Sequence, residues 1–153
     1  MASRWTPGYT APVLLHLVGP DSWNEVPALL CYDPVDPFAV RVVFGGGEDA
    51  GAADPEAGVS WLLGRDLLRE GTRRPAGHGD VRLWPSRGAA DVLYLHLSAP
   101  SGEALFEVSR STVTAFLRAT EDLVPVGAEA ALLDLDDELA AILSSGGADP
   151  TGR

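Results

Sequence analysis

Residues 91–98 (DVLYLHLS) alternate without a break, Leu93, Leu95 and Leu97 against Val92, Tyr94 and His96. A period of two belongs to a half-buried strand, not to a helix, whose apolar positions recur every three or four residues. The step Ala99-Pro100-Ser101-Gly102 then makes a tight connection, and residues 103–108 (EALFEV) continue as a strand. Upstream, residues 80–84 (DVRLW) set Val81 and Leu83 against Arg82 and Trp84 until Pro85 stops the run. Together they predict an antiparallel meander over 80–108.

The first half of the chain has the same texture. Residues 11–18 (APVLLHLV) place Val13, Leu15 and Leu17 on one face and Leu14, His16 and Val18 on the other, and Gly19-Pro20 ends them. Residues 21–27 (DSWNEVP) read as a loop. Residues 28–32 (ALLCY) and 38–44 (FAVRVVF) flank Asp33-Pro34-Val35-Asp36-Pro37. Proline sets φ there and an Asp side chain can hydrogen-bond the turn backbone, so the pair is a hairpin. Phe38, Val40, Val42 and Phe44 share one face, opposite Arg41. Residues 45–58 (GGGEDAGAADPEAG) carry too little apolar bulk to offset their ordering entropy, which makes them a mobile extension of that hairpin. Residues 59–63 (VSWLL) resume the sheet, with Val59, Trp61 and Leu63 on one side.

Three helices are expected. Residues 64–70 form two turns, with Leu63, Leu67 and Leu68 as the apolar edge, Arg65, Asp66, Arg69 and Glu70 in water, and Gly71 as the C′ residue. So short a helix persists only when packed on the sheet. Ser109 or Ser111 caps a second helix, which runs to about Asp122 on the stripe Val113, Phe116 and Leu117. In the last, Asp134 is the N-cap, Asp136, Asp137 and Glu138 complement the helix dipole, and Leu135, Leu139, Ile142 and Leu143 form the stripe until Gly146-Gly147. Residues 1–10 are then a flexible arm, 11–143 one α+β domain, and 144–153 a disordered tail. Strands and a helix, again strands and a helix, then a final helix suggest a two-fold internal arrangement, although no sequence repeat accompanies it.

Composition narrows the function. A chain of 153 residues with 46% hydrophobic and 22% charged residues is in the globular range. Its net charge of −11 sets 22 acids against 11 bases, all of them Arg, and opposes nucleic-acid binding unless arginines are gathered in one place. Between residues 65 and 87 they are: Arg65, Arg69, Arg73, Arg74, Arg82 and Arg87 outnumber Asp66, Glu70 and Asp80. From Glu121 onward eight acids stand against Arg153 alone, so complementary regions could join subunits or partners. The single Cys31 excludes an internal disulfide and fits a reducing, cytoplasmic setting, and VLLHLV is too short to span a membrane.

No catalytic constellation is legible. His16, His78 and His96 are dispersed, and His16 and His96 become neighbours only if their strands pair. Cys31 lacks a CxxC partner and is a buried packing residue with a raised pKa. The run GGGEDAG lacks the Lys and Ser or Thr of a phosphate loop, and DLDDE has Leu139 and Ser145 where a calcium loop needs Gly and Glu. No catalytic, cofactor or metal residue is assigned. What remains is a polar contact surface of Arg65, Arg69, Arg73, Arg74, Arg82 and Trp84, held in place by the core residues Trp61, Leu67, Leu68 and Trp84 itself. The alternative use of Arg73, Arg74, His78, Arg82 and Trp84 is single-stranded nucleic-acid binding, in which bases stack on the aromatic.

These segments also carry a family resemblance. CYDPVDPFAVRVVF, VSWLLGRDLLREG, RPAGHGDVRLWP, LSAPSGEALFEV and VPVGAEAALLDLDDELAAIL resemble, in order, five motifs of the SsgA-like sporulation and cell-division proteins of actinomycetes. The match covers residues 11–143. The region before residue 11 and the 45–58 extension look longer than in typical members, and Gly64 replaces a more usual small or aliphatic residue. The resemblance implies a non-enzymatic protein of the cytoplasm and division septum, with FtsZ, other division proteins or other SsgA-like proteins as partners. It also implies a Whirly-like fold of twisted antiparallel sheets with packed helices, assembled as a homotrimer, with no cofactor and no membrane insertion.

Overall fold

The computed structural model describes residues 8–44 and 59–148. In chain order these form β1 (Tyr9–Val18), β2 (Trp23–Tyr32), β3 (Ala39–Phe44), β4 (Ser60–Gly64), α1 (Arg65–Gly71), β5 (Val81–Pro85), β6 (Val92–Ala99), β7 (Gly102–Ser109), α2 (Arg110–Leu123) and α3 (Glu129–Ala148). The strands make one antiparallel sheet in the order β4-β3-β2-β1-β7-β6-β5. The α+β class, the Asp-Pro hairpin and the meander over 80–108 are as the sequence predicts. In the hairpin turn, the Asp33 carboxylate accepts the Val35 amide at 3.0 Å.

Alternation sets the register. Leu95 lies between Leu83 and Phe106 across the sheet, and Leu93 faces Val108, all on the buried side. The same inner face continues through Val13, Leu15, Leu30, Tyr32, Val40, Val42 and Leu63 into one core. Each of these large side chains contributes about 2 kcal/mol by leaving water. On the reverse face, β1, β6 and β7 present Leu14, His16, Tyr94, His96 and Glu107.

The sheet curls. Its halves join at β1 and β7 through the pairs His16↔Glu107 and Leu17↔Phe106, while α1 touches both edge strands, β4 and β5. A helix of that length spans about 10 Å, whereas seven strands laid flat would set their edges about 29 Å apart. The edges therefore approach each other, and α1 closes the gap above the core. α2 packs on β1, β7 and α1 through Val113, Phe116 and Leu117, with the Ser109 hydroxyl accepting the Thr112 amide at its N-cap.

Several expectations need correction. Residues 23–27 are strand, not loop: β2 begins at Trp23 and pairs with β1 through Val26↔Leu15 and Glu25↔His16, closed by the Gly19 amide on the Ser22 carbonyl at 2.9 Å. Its outer end faces solvent, so no apolar alternation marks it. Gly71 is not a left-handed C′ residue but the last helical one, chosen for contact: a Cβ there would sit 2.4 Å from Leu83 Cδ2. α3 starts at Glu129, not after Asp134, and continues through Gly146 and Gly147, so residues 144–148 are helical. Its Leu139, Ile142 and Leu143 are exposed instead of forming a core stripe. β7 separates His16 from His96, which are not neighbours. Tyr9 and Thr10 belong to β1, and the predicted mobile segment 45–58, together with residues 1–7 and 149–153, lies outside the described residues. No helix among the described residues is long and apolar enough to cross a membrane.

A candidate partner-binding surface

The six predicted contact residues divide into two groups. Arg65 is fully buried, so it cannot belong to a contact surface. From the first position of α1 its Nη1 donates to the carbonyls of Thr120 (3.2 Å) and Val124 (2.8 Å) and to the Thr120 hydroxyl (3.3 Å). Its Nη2 pairs with the Glu129 carboxylate, and its guanidinium carbon lies 5.0 Å from the Tyr32 ring centroid. The carbonyls at the end of α2, of which Thr120 also accepts the Val124 amide at 2.8 Å, and the negative end of the helix dipole supply the energetic reason to bury the cation. Burial alone would raise the Glu129 carboxyl, but hydrogen bonds from Arg65 and from the amides of Glu129 and Gly127, with the Arg65 charge, hold it below the ordinary carboxylate range.

Arg69 is also withdrawn. It donates to Asp66 one turn back at 2.6 Å and to Glu121 of α2 at 3.3 Å, an ion-paired brace between two helices. The Asp66 contact is the local pair that the i,i+3 spacing predicts. Burial would lower the Arg69 pKa, and the two carboxylates raise it.

Arg73, Arg74, Arg82 and Trp84 do lie near one another at the β5 edge. The loop after α1 is pinned to β5 by reciprocal bonds between Ala76 and Leu83, at 2.8 and 3.0 Å. Gly77 makes that approach possible: its φ is +96°, and a Cβ would stand 2.2 Å from the Val81 carbonyl. The pinned loop leaves depressions on either side of Trp84. One is bounded by Arg73, Arg74, Arg87 and Tyr94, the other by His78, Gly79 and Arg82. Trp84 is half-buried against Tyr94, ring centroids 5.8 Å apart, and does not belong to the core as predicted. Arg74 pairs with Glu70 at 2.9 Å.

Tyr94 and Arg87 complete the surface, although sequence reasoning left them out of it. The signal for Tyr94 was present, since it alternates outward on β6 and the meander register Trp84↔Tyr94 brings the rings together. On the same open face His16 stacks on Trp23 at 3.9 Å and 4°, and Trp23 Nε1 donates to Glu107 at 3.1 Å. Only the β1–β7 seam brings Glu107 there, a long-range pairing with no local signature. Cys31 is buried, and burial pushes its thiol up against the opposing effects of Thr10 and Arg41. Among the described residues no three His, Cys, Asp or Glu side chains converge as a metal site. The arrangement offers exposed arginines around a half-buried aromatic pair, a surface suited to contact.

Comparison with known proteins adds an independent line. Residues 26–129 match the family model described as Streptomyces sporulation and cell division protein, SsgA. The sporulation-specific cell division protein SsgB of Frankia casuarinae is 44% identical over 90% of this chain and 92% of its own. SsgB of Streptomyces coelicolor is 45% identical over 85% and 93%, and that of Salinispora tropica 47% over 85% and 89%. A crystal structure of an SsgA-like sporulation-specific cell division protein from Thermobifida fusca superposes with a TM-score of 0.74 at 36% identity, over 87% of this chain and 93% of that one. A second solved structure, described by mutations in SsgB that correlate to longitudinal cell division during sporulation of Streptomyces coelicolor, gives a TM-score of 0.70 at 41% identity over 80% and 93%.

Proposed function

The chain belongs to the SsgA family of sporulation and cell-division proteins, and on that footing we propose that it acts in sporulation-associated septation by binding other proteins, without catalysing a reaction. Its partners on this reading are division machinery such as FtsZ and other SsgA-like proteins, met in the cytoplasm at the division septum. The subunit is Whirly-like and assembles as a homotrimer. The observation that carries the reading is likeness to SsgB along nearly the whole chain. The surface formed by Arg73, Arg74, Arg82, Arg87, Trp84 and Tyr94 supports binding as the mode of action.

A fluorescent fusion followed together with the division ring in the source organism tests the role. Signal that coincides with the ring during sporulation is the expected result, and diffuse signal at every growth stage would refute it. Light scattering tests the assembly: three times the chain mass of 16.1 kDa is expected, and a monodisperse monomer would refute the trimer.

One observation favours a second reading. Arginines flank Trp84 on both sides, the pairing that stacks and neutralises single-stranded nucleic acid. Titration of a labelled oligonucleotide at two salt concentrations decides: salt-sensitive binding that vanishes in an Arg73→Ala, Arg74→Ala double variant would replace protein binding with this function.

A further inference from the structure

Resting on the reading of this protein as one that acts by binding, we infer that the depression between Arg73, Arg74 and Arg87 takes an extended acidic peptide segment of another protein, one apolar side chain of which lies on Trp84 and Tyr94. The depression measures about 480 Å³ and has no carboxylate in its lining, although the chain carries 22 acidic residues. That volume admits a few side chains and no folded domain. Arg73 and Arg87 are exposed and, among the described residues, have no carboxylate within ion-pair distance. Planar guanidinium groups match carboxylates two bonds at a time.

The aromatic pair decides between acidic occupants. Trp84 and Tyr94 contact each other at a 31° tilt, so they make a floor and not a slot in which a base could be sandwiched. Glu107 adjoins Tyr94 across the strand pair, and Glu70 already holds Arg74. Carboxylates therefore flank the depression on two sides and repel a phosphate chain that continues past it, whereas a short acidic segment ends before reaching them. Pro75 and Pro85 in the lining keep the depression preformed, so binding orders little of the protein.

Fluorescence anisotropy of a short labelled peptide of alternating Asp and Leu, titrated with the full chain, tests this. Binding is expected, weakened by about tenfold or more when Arg73 and Arg87 are both changed to Ala or when Asn replaces Asp in the peptide. Both arginines are exposed, so the variant is expected to fold, which circular dichroism checks. Equal affinity for the Asn peptide, an unchanged affinity in the double variant, or tighter and Arg-dependent binding of oligothymidylate would each overturn the inference. So would absence of peptide binding by a protein whose fusion does reach septa, and that result would leave the division role standing. A diffuse fusion would overturn the division role instead.

Discussion

Arg65 and Glu129 meet in an ion pair across 64 residues of sequence, the guanidinium wholly buried and the carboxylate nearly so. The same arginine holds the last carbonyls of α2, so one side chain ties the start of α1, the end of α2 and the start of α3. A buried pair is weak evidence of net stabilisation, but removal of one partner leaves the other charge uncompensated.

Glu129→Ala is accordingly expected to lower unfolding free energy by about 3 kcal/mol, read from the midpoint in guanidinium chloride. Arg65→Lys is expected to be destabilising as well, because an ammonium cannot fork between the α2 carbonyls and a carboxylate. Wild-type midpoints in both variants would show that the pair contributes nothing.

The pH dependence follows from the depressed Glu129 carboxyl. In the unfolded chain an ordinary Glu takes up its proton near pH 4.3, while the folded protein resists it to lower pH. Stability is thus fully present above that value and is lost as pH falls through the folded pKa. Asp91, held low by the Ser109 hydroxyl and by Ser111, adds in the same direction. Urea midpoints from pH 6 down to 3 should decline in the wild type and decline less steeply in Glu129→Gln.

Gly77→Ala is expected to break the fit of the basic loop to β5. The new methyl would need φ near +96° and would overlap the Val81 carbonyl, at a cost of about 1–3 kcal/mol for the displaced backbone. Hydrogen exchange at the Ala76 and Leu83 amides should accelerate; unchanged protection would contradict the pinned geometry.

Trp23→Ala removes the ring that stacks on His16 and the donor to Glu107. A loss of about 1 kcal/mol is expected from the stacked pair, measured by thermal unfolding against Trp23→Phe, which should retain part of it. Equal stability of both variants and the wild type would mean that the stack is incidental.

Patterns of short range were legible in the residues themselves. Alternation located most strands, the Asp-Pro steps located the first hairpin, and Ser109 announced α2. The family motifs, being local runs of residues, were readable too. What could not be read were relations between distant segments. Polarity at a helix start is the same local signal whether the residue faces water or a pair of carbonyls, so the sequence predicts Arg65 at the surface while the fold buries it. The acids around residue 136 looked like a helix start because no local rule reveals that Glu129 already begins the helix beneath Arg65. In the surface itself, sequence supplied the arginines and Trp84, while Tyr94 and the flanking Glu107 came from register. Propensity, alternation and turn chemistry act within a few residues, and so the sequence alone settled the family and most of the elements, but not the start of β2 or of the last helix. Burial and pairing depend on which segments the curled sheet brings together, and only the tertiary structure decided which charges are buried and which face solvent.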